Sequence, residues 1–140
     1  MLIAPASANN SRASTEEKTI YVLEATITDY KQEKTHKSKG KTIKGDDDYH
    51  IALKGEDGST LIAEIPKPNC LLNTPEPLKS MITQARADFD AKFHVTGSFK
   101  TTNAKVRITG PALFDRAHGQ RGLADNAVEI HPVIKIEFLD

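Results

Sequence analysis

Alternation between apolar and polar residues is the feature that most constrains this chain. Over residues 128–138, Val128, Ile130, Ile134, Ile136 and Phe138 interleave with Glu129, His131, Lys135 and Glu137. A period of two belongs to a half-buried β-strand, with one face to a core and the other to water. Residues 19–30, TIYVLEATITDY, are rich in β-branched and aromatic side chains and carry neither Pro nor Gly, which predicts a first strand. Residues 49–54 predict a second strand with Tyr49, Ile51 and Leu53 inward and His50 and Lys54 outward. Residues 60–65 predict a third, with Leu61, Ala63 and Ile65 inward and Glu64 outward, ending at Pro66, which lacks a ladder donor. Asp57-Gly58 joins the two as a hairpin turn, because Gly accepts positive φ. That hairpin places His50 opposite Glu64 on the exposed face, with Cβ atoms about 5 Å apart.

Residues 74–93 predict a helix with Thr74 as its cap and Pro75 at the first helical position, where a missing N–H costs nothing. Leu78, Met81, Ile82, Ala85 and Phe89 form its apolar stripe. A fourth strand is expected over 94–100, with residues 106–109 as a hairpin arm or second half, before Gly110-Pro111 bends the chain. The last strand is 128–138. A mainly β chain with five strands, and one helix between strands 3 and 4, matches the plan of an OB-like closed barrel; an open α+β sheet with the same elements is the rival. At 140 residues the chain suits one such domain, over 18–140.

Residues 1–17 fall outside that domain. Ala6-Ser7-Ala8 after a short apolar run is like the end of a secretory signal, so this segment is read as a disordered arm or a signal-peptide remnant, with a secreted or periplasmic location and a cytoplasmic one as the alternative. No segment reaches the roughly 20 apolar residues of a membrane span. The lone Cys70 has no partner for an intramolecular disulfide and reads as an inert thiol.

Nineteen basic and nineteen acidic residues balance to zero, so any electrostatic partner must be recognised by local clustering. The clustering is in the loop after strand one. Lys31, Lys34, Lys37, Lys39, Lys41 and Lys44 precede Asp46, Asp47 and Asp48, predicting a long, mobile, positive loop that closes on an acidic run. The other long loop, 114–127, is Gly-rich and polar, with Asp115, His118, Gln120, Asp125 and Asn126. In an OB barrel these two loops flank the ligand face. His50, Glu64, Glu129 and His131 are expected to gather on that face, with Asp48, Asp115 and His118 at its rim.

The segments DDDYHIAL, STLIAEIPKPNC, ARADF, VRITGPALFD and HGQRGLADNAVEIHPVIKI resemble those of a group of small, mostly exported, largely uncharacterised bacterial proteins with an OB-fold-like domain. Their pattern runs Asp-x-His, then Glu-x-Pro, then HGQ-x-G-x-A-x-N-x-x-E-x-HP. The matching positions are Asp48, His50, Glu64, His118, Gly119, Gln120, Gly122, Asn126, Glu129, His131 and Pro132. The resemblance implies a coherent domain and an exported location, and brings no reaction with it. The lysine-rich loop is a local elaboration on that pattern.

Three functions fit these residues. The first is a binding module for an oligonucleotide or another polyanion, with Lys34, Lys37, Lys39, Lys41 and Lys44 meeting phosphates and His50, Gln120, Asn126 and His131 contributing from the barrel. Few aromatics (five Phe, three Tyr, no Trp) argue against a base-stacking platform. The second is a metal-assisted hydrolase of nuclease type. Its catalytic candidates are Glu64, His118 and Glu129, and its ligand candidates for a divalent metal ion are Asp48, His50, Glu129 and His131. The third is a structural domain that docks a protein partner. Exposed His–Glu pairs that only fix strand register are the bland alternative to all three.

Overall fold

A computed structural model describes residues 19–114 and 128–139. It contains the strands β1 (Ile20–Gln32), β2 (His36–Ser38), β3 (Lys41–Ile43), β4 (Tyr49–Lys54), β5 (Thr60–Ile65), β6 (Lys100–Phe114), β7 (Val128–Ile130) and β8 (Lys135–Phe138). A 3-10 turn, Pro68–Leu71, and one helix, α1 (Leu78–Lys92), complete it. The described chain is mainly β.

Five strands close into a mixed barrel in the order β1-β4-β5-β7-β6, with β6 returning to pair with β1. All these pairings are antiparallel except β5–β7, which is parallel. The register of β1 shifts between Ile27 and Asp29 against both neighbours: Thr28 is the extra residue against β4, whereas against β6 the extra residue lies on β6, in Thr102-Asn103. A bulge adds bend and twist, which is how a long strand wraps a small barrel. β8 extends the β6 edge, pairing Val106 with Phe138 and Thr109 with Lys135.

The core follows the alternation. Leu23, Ala25 and Ile27 from β1 meet Ile51, Leu53, Leu61, Ala63, Ile65, Val106, Ile108 and Ile136 inside the barrel. α1 packs on β8 and β5 and delivers Ile82, Ala85 and Phe89. The Phe89 ring is fully buried and gathers Tyr30, Tyr49 and Phe93 around it, with centroids 5.5, 5.8 and 5.0 Å away.

Several expectations are corrected. The helix follows the fifth strand of the chain, not the third, because the lysine-rich stretch is not a plain loop: β2 and β3 pair in it as a separate hairpin. Lys39 and Gly40 form its turn with φ of 52° and 75°, a mirror-image turn that glycine favours. The helix begins at Leu78 rather than after Thr74. Its first turn is satisfied from upstream by the Glu76 carboxylate, which accepts the Ser80 N–H at 3.0 Å.

The helical stripe also differs: Leu78 and Met81 are substantially exposed, whereas Arg86 is buried. The strand expected over 94–100 starts only at Lys100 and then runs through Gly110-Pro111 without a break, since its N–H and C=O groups pair along β1. Gly110 permits this path, because a Cβ there would come 2.5 Å from the Pro132 carbonyl oxygen. The final strand is divided at 131–134, where Pro132 has no N–H to donate. Around that proline, the Val133 and Ile134 N–H groups donate to Glu64 and Thr109 carbonyls at 2.9 Å each, stitching β5 to β6.

Among the described residues no helix is long and apolar enough to cross a membrane. The N-terminal arm lies outside the described residues.

Candidate functional site

β4, β5 and the segment after β7 converge at one end of the barrel. The Asp57 turn pairs Tyr49 with Ile65, and therefore His50 with Glu64. Parallel pairing of Ile62 with Glu129 carries His131, two residues on, to the same side of the sheet beside Glu64. Asp48 is the residue before β4. The result is a cluster in which one ligand atom each from Asp48, Glu64 and His131 lies within 4.8 Å of the others.

His131 Nε2 is the centre of it, 3.5 Å from Asp48 Oδ2 and 3.7 Å from Glu64 Oε2. The second Glu64 oxygen, Oε1, is 3.7 Å from His50 Nδ1, which is also 3.5 Å from Glu33 Oε1. Glu64 thus faces two imidazoles, one from each oxygen.

The backbone holds this arrangement from several strands. Asp47 adopts a positive φ of 63°, turning its own carboxylate out to Lys67 at 3.0 Å while Asp48 turns in. The Asp48 N–H donates to Asp46 Oδ1 at 3.0 Å, and its carbonyl accepts the Glu33 N–H at 2.9 Å. The His131 N–H donates to the Pro111 carbonyl at 3.0 Å. Burial pushes the Asp46 carboxyl above its ordinary value, and the charges of Asp48 and Glu64 push the same way, against the lowering effect of the Asp48 N–H.

Beside the cluster is a cleft of about 480 Å³ whose walls are Pro66, Leu71, Leu78, Ile82 and Pro132, with Thr74. Asp46, Asp48 and His131 line its polar end. A mostly apolar cleft with a few convergent polar groups has the form of a small-ligand site. Chemically, the cluster can hold one cation or pass a proton between carboxylate and imidazole.

The expected four-residue meeting is thus revised. Glu64, His131 and Asp48 come together, and His50 backs Glu64 from behind. His50 is not on an exposed face: it is 3% exposed, because Phe99, from the segment entering β6, packs edge-on against it at 5.8 Å. Glu129 is also buried, at 3%, next to Ile62 and outside the Asp48–Glu64–His131 group. His118, Gln120 and Asn126, together with Asp115 and Asp125, lie outside the described residues.

Lys34, Lys37, Lys39, Lys41 and Lys44 are all exposed on or beside the β2–β3 hairpin. None forms an ion pair among the described residues. The foot of that hairpin is tied to the cluster, since Glu33 exchanges backbone hydrogen bonds with Asp47 and Asp48. One cation was not anticipated. Arg86 reaches from α1 across the Tyr49 ring and donates to the Ile65 and Asp47 carbonyls, both at 3.1 Å. Its spacing, four residues after Ile82 and three before Phe89, was the available signal, since such positions share one helix face.

No protein-family model, curated protein or solved structure matches this chain.

Proposed function

We propose that the protein is a binding module for an oligonucleotide or a similar polyanion, gripped by the lysine hairpin where it rises from an OB-like barrel. One observation carries this reading: the acidic run that follows the lysines does not neutralise them. Asp47 is engaged by Lys67 and Asp48 is turned inward to His131, which leaves Asp46 as the one exposed acid of the run against five lysines. Five exposed lysines therefore keep their charge available on a two-stranded arm. Lysine contacts to phosphates give sequence-independent, salt-sensitive affinity of the kind such an arm would supply.

The OB-like assignment rests on the closed five-strand ring, with β1 paired to both β4 and β6 and β5 parallel to β7. Barrels of that plan commonly present oligonucleotides to a face between two loops. The β2–β3 hairpin occupies the first of those loop positions.

Titrating a fluorescently labelled single-stranded oligonucleotide tests the proposal. The wild-type protein should raise its anisotropy at low salt, and Lys37→Ala/Lys39→Ala/Lys41→Ala should weaken binding markedly. Equal affinity of the triple variant and the wild type would refute a lysine-arm grip.

A further inference from the structure

We propose that Asp48, Glu64 and His131 bind a single divalent transition-metal ion of the zinc class, with the open coordination position turned to the adjoining cleft. The inference stands apart from the polyanion reading and needs no lysine.

His131 Nε2 is 3.5 Å from one carboxylate oxygen and 3.7 Å from another. Those separations are long for charge-assisted hydrogen bonds, which run at about 2.7–2.9 Å. One N–H could in any case point at only one of the two. They are close to the edge of a coordination tetrahedron, about 3.4 Å for metal–ligand bonds of about 2.1 Å. The third edge, between the two carboxylates, lies within 4.8 Å, so a shared ion that draws them slightly together describes the triangle better than two competing hydrogen bonds.

Asp47 is offset by Lys67 and Glu33 by Lys31. Among the described residues Asp48 and Glu64 form ion pairs with histidines only, while the Asp48 side chain is 8% exposed and that of Glu64 17%. Two carboxylates confined this closely repel each other, and a divalent ion between them removes the repulsion.

The ligand set selects the ion. One imidazole and two carboxylates suit zinc and its neighbours, whereas calcium takes six to eight oxygens and magnesium a nearly octahedral oxygen shell. Three protein ligands with a fourth position left open is the arrangement of reactive rather than purely structural zinc. His50 is a positioning residue here. Its Nδ1 stands 3.7 Å behind Glu64 Oε1, so it would back the carboxylate by packing and close into a hydrogen bond as the ion draws Glu64 in, a role whose loss typically weakens metal binding about 10–100-fold.

The test is a titration of the full-length, chelator-treated protein with Zn²⁺, followed by calorimetry and thermal melting. One equivalent should bind and raise the melting temperature, with chelator reversing the shift. His131→Ala should abolish that equivalent, His50→Ala should weaken it, and His36→Ala on the lysine hairpin should leave it unchanged. Stoichiometric Zn²⁺ binding that persists in His131→Ala, or the absence of any binding by the wild type, overturns the proposal. If His131→Ala fails to fold, Co²⁺ bound to the wild type decides the question: strong visible absorption typical of four-coordinate cobalt supports the site, and the weak spectrum of an octahedral ion overturns it.

Discussion

The Arg86 guanidinium lies 3.7 Å from the centre of the Tyr49 ring, and Tyr49 in turn donates its hydroxyl to Asp90 at 2.6 Å. This stack joins α1 to the start of β4, the strand that opens beside Asp48. The guanidinium also supplies the donors for the Ile65 and Asp47 carbonyls, so helix, barrel and hairpin foot share one buried cation. Replacing Arg86 by Met keeps much of the stem packing but leaves both carbonyls without that donor. Hydrogen bonds to charged groups contribute about 1.5–3 kcal/mol each, so denaturant unfolding should show a loss of about 3 kcal/mol. A loss below about 0.5 kcal/mol, the size of an ordinary surface change, would contradict this role.

Alkaline pH should weaken the same region. Burial raises the Tyr49 hydroxyl above its ordinary value of 10.0, and the hydrogen bond to Asp90 adds to the shift. Burial raises Tyr30 likewise. The folded protein thus holds both phenols protonated more firmly than the unfolded chain does. Their stabilisation is complete below the unfolded value and is lost as pH climbs through the raised folded values. Unfolding free energies measured from about pH 8 to about pH 11 should fall with a slope that is shallower in Tyr49→Phe. An identical slope in wild type and variant would contradict it.

Gly110 offers a test of the barrel seam. A Cβ at this position would meet the Pro132 carbonyl oxygen at 2.5 Å and Ile130 Cγ2 at 2.6 Å. Backbone on one side and a buried side chain on the other leave little room to yield. Gly110→Ala should destabilise by about 1–3 kcal/mol, the usual range for overpacking. Because Pro132 follows His131, the substitution should also disturb the imidazole, visible as shifted His131 ring signals in NMR spectra. A neutral variant would mean that β6 and the 131–134 segment separate easily.

Much of the barrel was legible in the chain because two-residue alternation and a Gly turn are local signals. Asp57-Gly58 alone sets the β4–β5 register and hence the His50–Glu64 pairing. The break at Pro132 was also legible, since proline cannot donate to a ladder, but the alternation on either side masked it. Features set by distant parts of the chain carry no such local signal. His50 reads as solvent-facing by parity, yet Phe99 arrives from another part of the fold to cover it. Arg86 reads as surface by charge, yet an aromatic ring and two carbonyls accommodate it. The hairpin in the lysine stretch was signalled by Gly40 and hidden by the density of charge. Asp48, expected as a candidate ligand, joins Glu64 and His131 next to a positive φ at Asp47, a conformation that Asp tolerates but does not require.

The measurement closest to the central claim is the salt dependence of oligonucleotide affinity. Each phosphate neutralised on a single strand contributes about −0.7 to the slope of log K against log salt, so five engaged lysines give about −3.5. Replacing Lys37, Lys39 and Lys41 by alanine should reduce that slope by about 2. A wild-type affinity that does not change with salt, or a slope that the triple substitution leaves intact, would contradict the account.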